Sequence, residues 1–136
     1  MVIKSIILQE LLASLGVQMV MVSFGSQKGA ARWKRETGCT HTVVTDQSRK
    51  FYNYFGLRIS FSKVWGSQTM HYYAGQIQQG KQFLKPFENE EDDPLQMGGD
   101  FLVDKCGKLL MCYPQKYAAD RPSIQSIINC VQNATQ

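Results

Sequence analysis

The sequence predicts an α/β domain in which a mixed sheet is flanked by helices. One observation is the short, almost wholly apolar segment at residues 17–24, typical of a strand that is covered on both faces. Another is the alternation of helical and strand patterns through the first half. The third is a pair of apolar segments, residues 101–103 and 109–113, joined by a turn-rich connection. The length of 136 residues fits one domain over residues 1–136.

The amino-terminal half predicts three helices and two strands. Apolar residues at helical spacing predict a first helix over residues 3–15, ended by Gly16. Ser26 is a good N-cap for a second helix that runs to about Thr37, with Gly38 as its C-terminal residue. A short strand follows at residues 42–45.

Capping residues at both ends predict a third helix after the second strand. Asp46 is a good N-cap, and Gly56 followed by the apolar Leu57 is typical of a glycine-terminated helix. Residues 58–68 alternate without clear bounds and are predicted to form a loop. Apolar residues from Met70 to Phe87 recur at helical spacing and predict a helix interrupted by glycines.

The carboxyl-terminal part predicts an acidic loop, a hairpin and a last helix. Residues 88–94 lack the oxygen spacing and glycine turn of a calcium loop, so we expect a hydrated loop and no metal site. The two apolar segments after it predict an antiparallel hairpin. Pro122 fits the first turn of a helix whose inward stripe consists of Ile124, Ile127, Ile128 and Val131.

Composition excludes several classes of function. No apolar segment approaches the ~20 residues that a membrane span needs, and no signal-peptide pattern precedes residue 15, so we expect a cytoplasmic protein. Fifteen basic residues against eleven acidic ones form no dense stripe. The tightest basic group is predicted to be a solvated helix face rather than a nucleic-acid site; it consists of Lys28, Arg32, Lys34 and Arg35.

Five motifs in order resemble the peroxiredoxin-like 2 family of the alkyl hydroperoxide reductase and thiol-specific antioxidant group. They are Gly16-Val17 before an apolar strand, Asp46-x-x-Arg49-x-x-Tyr52-x-x-x-Gly56-Leu57, Gln96-x-Gly98-Gly99-x-Phe101, Asp104-x-x-Gly107-Lys108, and Asp120-Arg121-Pro122-Ser123-Ile124. The resemblance covers residues 11–131 and implies a thioredoxin-like mixed sheet flanked by helices. It also implies redox chemistry at a cysteine that starts the helix after the first strand.

The resemblance further implies that this chain lacks that first, central strand and the catalytic-cysteine loop. Residues 17–24 match the family's second strand, and no cysteine precedes Cys39. We therefore expect an incomplete domain, as from an N-terminally shortened isoform, with no catalytic residue of its own. The unpaired edges on either side of the gap would have to pair with each other, recruit a protein partner or a second copy, or stay hydrated. The backbone at Gly98 and Gly99 is expected to shape a pocket.

The four cysteines are expected to be reduced, because they form no C-x-x-C or zinc pattern. Cys39 and His41 are two residues apart without a third partner, so packing explains them better than a metal or nucleophile site. Cys106 lies in the hairpin turn beside two lysines and is the candidate for a redox-sensitive thiol. Cys112 and Cys130 are predicted to be core residues.

Three functions remain open at this level. The first is an antioxidant oxidoreductase that reduces peroxides or disulfides, and the second is a catalytically silent module that binds a protein at the sheet gap. The third, nucleic-acid binding through the basic helix, has little support. No cofactor is expected, because the sequence contains no phosphate loop and no dinucleotide motif.

Overall fold

The computed structural model describes residues 10–83 and 93–134. After a helical turn at residues 10–14, the elements follow in the order β1, α1, β2, α2, α3, α4, β3, β4, α5. The strands are β1 (Val20–Ser23), β2 (Thr42–Thr45), β3 (Gly99–Val103) and β4 (Leu109–Pro114). The helices are α1 (Gln27–Thr37), α2 (Lys50–Tyr54), α3 (Phe61–Val64), α4 (Ser67–Gln78) and α5 (Ile124–Ala134).

The strands form two separate two-stranded sheets in the described part of the chain. β1 and β2 are parallel, with Val20 opposite Thr42 and Ser23 opposite Thr45. β3 and β4 form the predicted antiparallel hairpin, with a register shift between Leu102 and Val103. The result is a mixed α/β fold of the predicted class, divided between β1 and β3.

Local signals set the helix ends as predicted in the amino-terminal half. The Ser26 hydroxyl accepts a hydrogen bond from the Gly29 N–H at 2.9 Å, and α1 ends at Gly38 with a left-handed φ of 67°. Gly56, with a φ of 66°, follows α2, and the Leu57 N–H donates to the Tyr52 carbonyl at 2.8 Å. Leu57 is thereby turned into the core, where it is buried.

The cap of α2 differs from the prediction in one respect. Arg49, with a left-handed φ of 55°, occupies the N-cap position itself. Asp46 nevertheless satisfies the free N–H groups of the helix, because its carboxylate accepts from Lys50 at 3.0 Å and from Phe51 at 2.7 Å. The acidic residue therefore caps the helix from four residues upstream of its first residue.

Several predictions about bounds were wrong. Residues 58–68 are not a loop, because α3 forms there and α4 begins at Ser67. The signal that was missed is the N-cap Ser60, whose hydroxyl accepts from the Lys63 N–H at 3.4 Å. Pro122 lies before α5 rather than in its first turn. The Ser123 hydroxyl instead accepts from the Ser126 N–H at 3.2 Å.

The predicted double covering of the first strand was also wrong. The strand spans only Val20–Ser23, and Val20 is 47% exposed. One edge of the strand pairs with β2, and no other strand within residues 10–83 and 93–134 pairs with its other edge.

The remaining predictions fall partly outside the described residues. Within the first predicted helix, residues 10–14 are helical, and residues 3–9 are not described. Helix α4 ends at Gln78, before the positive-φ Gly80, while Phe87 and residues 88–92 of the acidic loop are not described. The predicted loss of a central strand concerns sequence outside these residues and stays a prediction.

α2 connects the two sheets. Its Phe51 and Phe55 rings pack on Phe101 of β3, with centroids 5.9 and 4.0 Å away. The Tyr52 ring meets Phe24, just after β1, edge to face at 5.6 Å. This aromatic cluster therefore links the two sheets, together with hydrogen bonds from Gln96 to the Leu57 carbonyl and from Met97 N–H to the Arg58 carbonyl. None of the helices in residues 10–83 and 93–134 has the length and apolar character to cross a bilayer.

Candidate functional site: the cleft between the two sheets

A cleft of about 490 Å³ lies between the free edges of β1 and β3. Every residue of 17–22 and of 98–102 lines it. A strand that presents a face to a cavity contributes alternate residues, because successive side chains point to opposite faces. Unbroken lining by both segments therefore means that the strands present their edges to the cleft.

The remaining walls are mainly apolar. Leu12 of the helical turn, Phe51 and Tyr52 of α2, Met111 of β4 and Ile127 of α5 line the cleft. Leu12 and Tyr52 are almost wholly buried. The cleft thus resembles the interior of a sheet domain more than a polar ligand site.

The backbone of Gly98 and Gly99 forms part of the wall, as predicted. A Cβ at Gly98 would lie 2.9 Å from Gln115 Oε1, and one at Gly99 would lie 2.9 Å from the Tyr113 carbonyl oxygen. A Cβ at Gly99 would therefore clash with the β4 backbone, whereas one at Gly98 would displace the end of the Gln115 side chain from its hydrogen bond.

Gln115 anchors this wall to the loop before α5. Its side chain is buried, accepts from the Gly98 N–H at 2.8 Å, and donates to the carbonyls of Ala118 and Asp120 at 3.2 and 3.1 Å. Asp120, also buried, accepts from the Tyr113 hydroxyl at 3.0 Å. That hydrogen bond is the main cause that raises the pKa of Tyr113 above 10.0.

One polar group in the cleft has no partner. The Oδ2 atom of Asp100 is buried and makes no hydrogen bond in the described structure. Burial raises the pKa of the Asp100 carboxyl above 3.8, the Arg121 guanidinium partly lowers it, and Asp120 raises it further. Asp100 and Arg121 both line the cleft, whereas sequence reasoning singled out neither as a functional residue.

A second polar group lies at the carboxyl ends of β1 and β2. The Arg49 guanidinium donates to Gln96 at 3.0 Å and to Asp93 at 3.2 Å, and it lies 5.2 Å from the centre of the Phe24 ring. Arg49 and Gln96 both belong to the sequence motifs given above, which was the available signal. The left-handed backbone of Arg49 could not be predicted, because arginine rarely adopts it.

The carboxyl ends of parallel strands are where open α/β sheets usually place their sites, and here the ends of β1 and β2 come together but carry no reactive group. The Asp46 N–H donates to the Ser23 carbonyl at 2.7 Å, which joins the ends of β1 and β2. Ser26 caps α1 and the Asp46 carboxylate caps α2, so both side chains have structural roles. The residues described contain no group of three or more potential metal-ligating side chains.

The four cysteines, all within the described residues, are free and lie apart from the cleft. Cys39 follows the end of α1, and its thiol donates to the Met21 thioether at 3.6 Å instead of pairing with His41. Cys106 is exposed in the hairpin turn, as predicted. The prediction of a core position was wrong for Cys112, which is exposed on β4, and Cys130 is half-buried in α5.

A comparison with known families gives one match. The model of the family described as AhpC/TSA antioxidant enzyme matches residues 6–116, which is most of the chain. No curated protein and no solved structure was found to match.

Proposed function

Because the chain belongs to the AhpC/TSA antioxidant enzyme family, we propose that it is a thioredoxin-like redox-family protein that does not turn over peroxide with its own cysteines. The observation that carries the proposal is the placement of the thiols. A peroxide-reactive thiolate needs stabilisation by helix N–H groups or nearby positive charge. None of the four cysteines starts a helix or lines the cleft.

Each thiol lacks the surroundings that reactivity requires. Cys39 follows the carboxyl end of α1, where peptide carbonyls rather than N–H groups face outward. Cys130 lies within α5, and Cys112 lies on a strand. Cys106 is exposed between two lysines, but its backbone N–H and that of Lys108 both bind the Asp104 carboxylate, which places a negative charge beside it.

Peroxide consumption tests the proposal. We expect the chain, supplied with thioredoxin or glutathione as reductant, to remove hydrogen peroxide no faster than a variant in which Cys39, Cys106, Cys112 and Cys130 are all serine. A Cys106→Ser variant separates the exposed thiol from the other three. A rate that falls to background in the four-serine protein would contradict the proposal and restore the oxidoreductase reading.

The second candidate function is protein binding at the cleft. It would be the role of a redox-family domain that has no catalytic activity of its own. Two strand edges that face an apolar cleft and have no partner among the described residues favour this function, since such edges are templates for pairing with another chain. As part of this proposal the chain is one domain and acts in the cytosol, a location supported by its four unpaired cysteines. It needs no cofactor, nucleic acid or membrane.

A further inference from the structure

We draw no further inference here: the strongest candidate, the exposed apolar surface patch that Ile59, Phe61 and Trp65 form around α3, carries none, because nothing in the described part of the structure shows what covers it.

Discussion

Asp100 is the cleft residue whose carboxylate is least well stabilised by its surroundings. Its carboxylate is partly buried, one oxygen lacks a hydrogen-bond donor, and the only opposing influence on its pKa is the Arg121 guanidinium. Burial therefore favours the protonated form in the folded state. In the unfolded chain the carboxyl returns to its ordinary pKa.

The sign of the resulting pH dependence follows from this difference. Between 3.8 and the raised pKa, the folded state binds more protons than the unfolded state, so the free energy of unfolding falls as the pH rises through this range. We expect Asp100→Asn to remove this decrease in the free energy of unfolding with rising pH. The variant should be more stable than the parent at pH 7, with the difference shrinking towards pH 4.

Urea denaturation at a series of pH values measures this effect. Glu10→Gln is the control, since Glu10 is exposed and its neutralisation should alter stability little at any pH. A parent chain that is more stable at pH 7 than Asp100→Asn would mean that the ionised carboxylate has a stabilising partner, contrary to its unpaired oxygen.

At the scale of elements, helix termini carry the strongest local information. The serine before α1 binds the N–H of Gly29, and the glycine after it adopts the left-handed conformation. Both were predicted from residue type, because few side chains can satisfy a free N–H and few residues tolerate positive φ. The start of α3 was missed although the Ser60 hydroxyl accepts there, since the helix has only four residues.

We expect Ser26→Ala to lower the free energy of unfolding by about 1 kcal/mol, the usual cost of removing an N-cap side chain. Ser67→Ala provides the control, because Ser67 is exposed in the first turn of α4 and the N-cap position there is Gly66. Its effect should stay within about 0.5 kcal/mol. Urea unfolding of the three proteins measures the difference, and equal losses for both variants would contradict the cap assignment.

At the scale of the whole molecule, the decisive feature is the division of the sheet. Hydrogen exchange tests it without any ligand. Val22 N–H faces the cleft, whereas the N–H groups of Met21 and Ser23 face β2. We expect Val22 to exchange faster than both neighbours, because no strand in the part of the chain that the structure describes pairs with its side of β1.

The neighbours act as internal controls, since all three amides share one strand and one local stability. Uniformly slow exchange across β1 in a monomer would show that another segment covers the edge. That result would contradict both the open cleft and the proposed binding of a protein there. Solution mass measured on the same sample distinguishes such a monomer from a dimer.

The sequence by itself determined the type and order of most elements. Apolar periodicity, the caps at Ser26 and Asp46, and the turn between β3 and β4 act over a few residues, so they can be read without coordinates. The ordered motifs also indicated the family before the match to residues 6–116 was known.

Tertiary structure alone decided how those elements meet. The Arg49 contacts with Asp93 and Gln96 join positions 44 and 47 residues apart, and no local pattern encodes such a pairing. The exposure of Cys112 and the unpaired oxygen of Asp100 likewise depend on what lies across the cleft. Burial and pairing are properties of neighbours in space, and this is why the residues that line the cleft between β1 and β3 are established only in three dimensions.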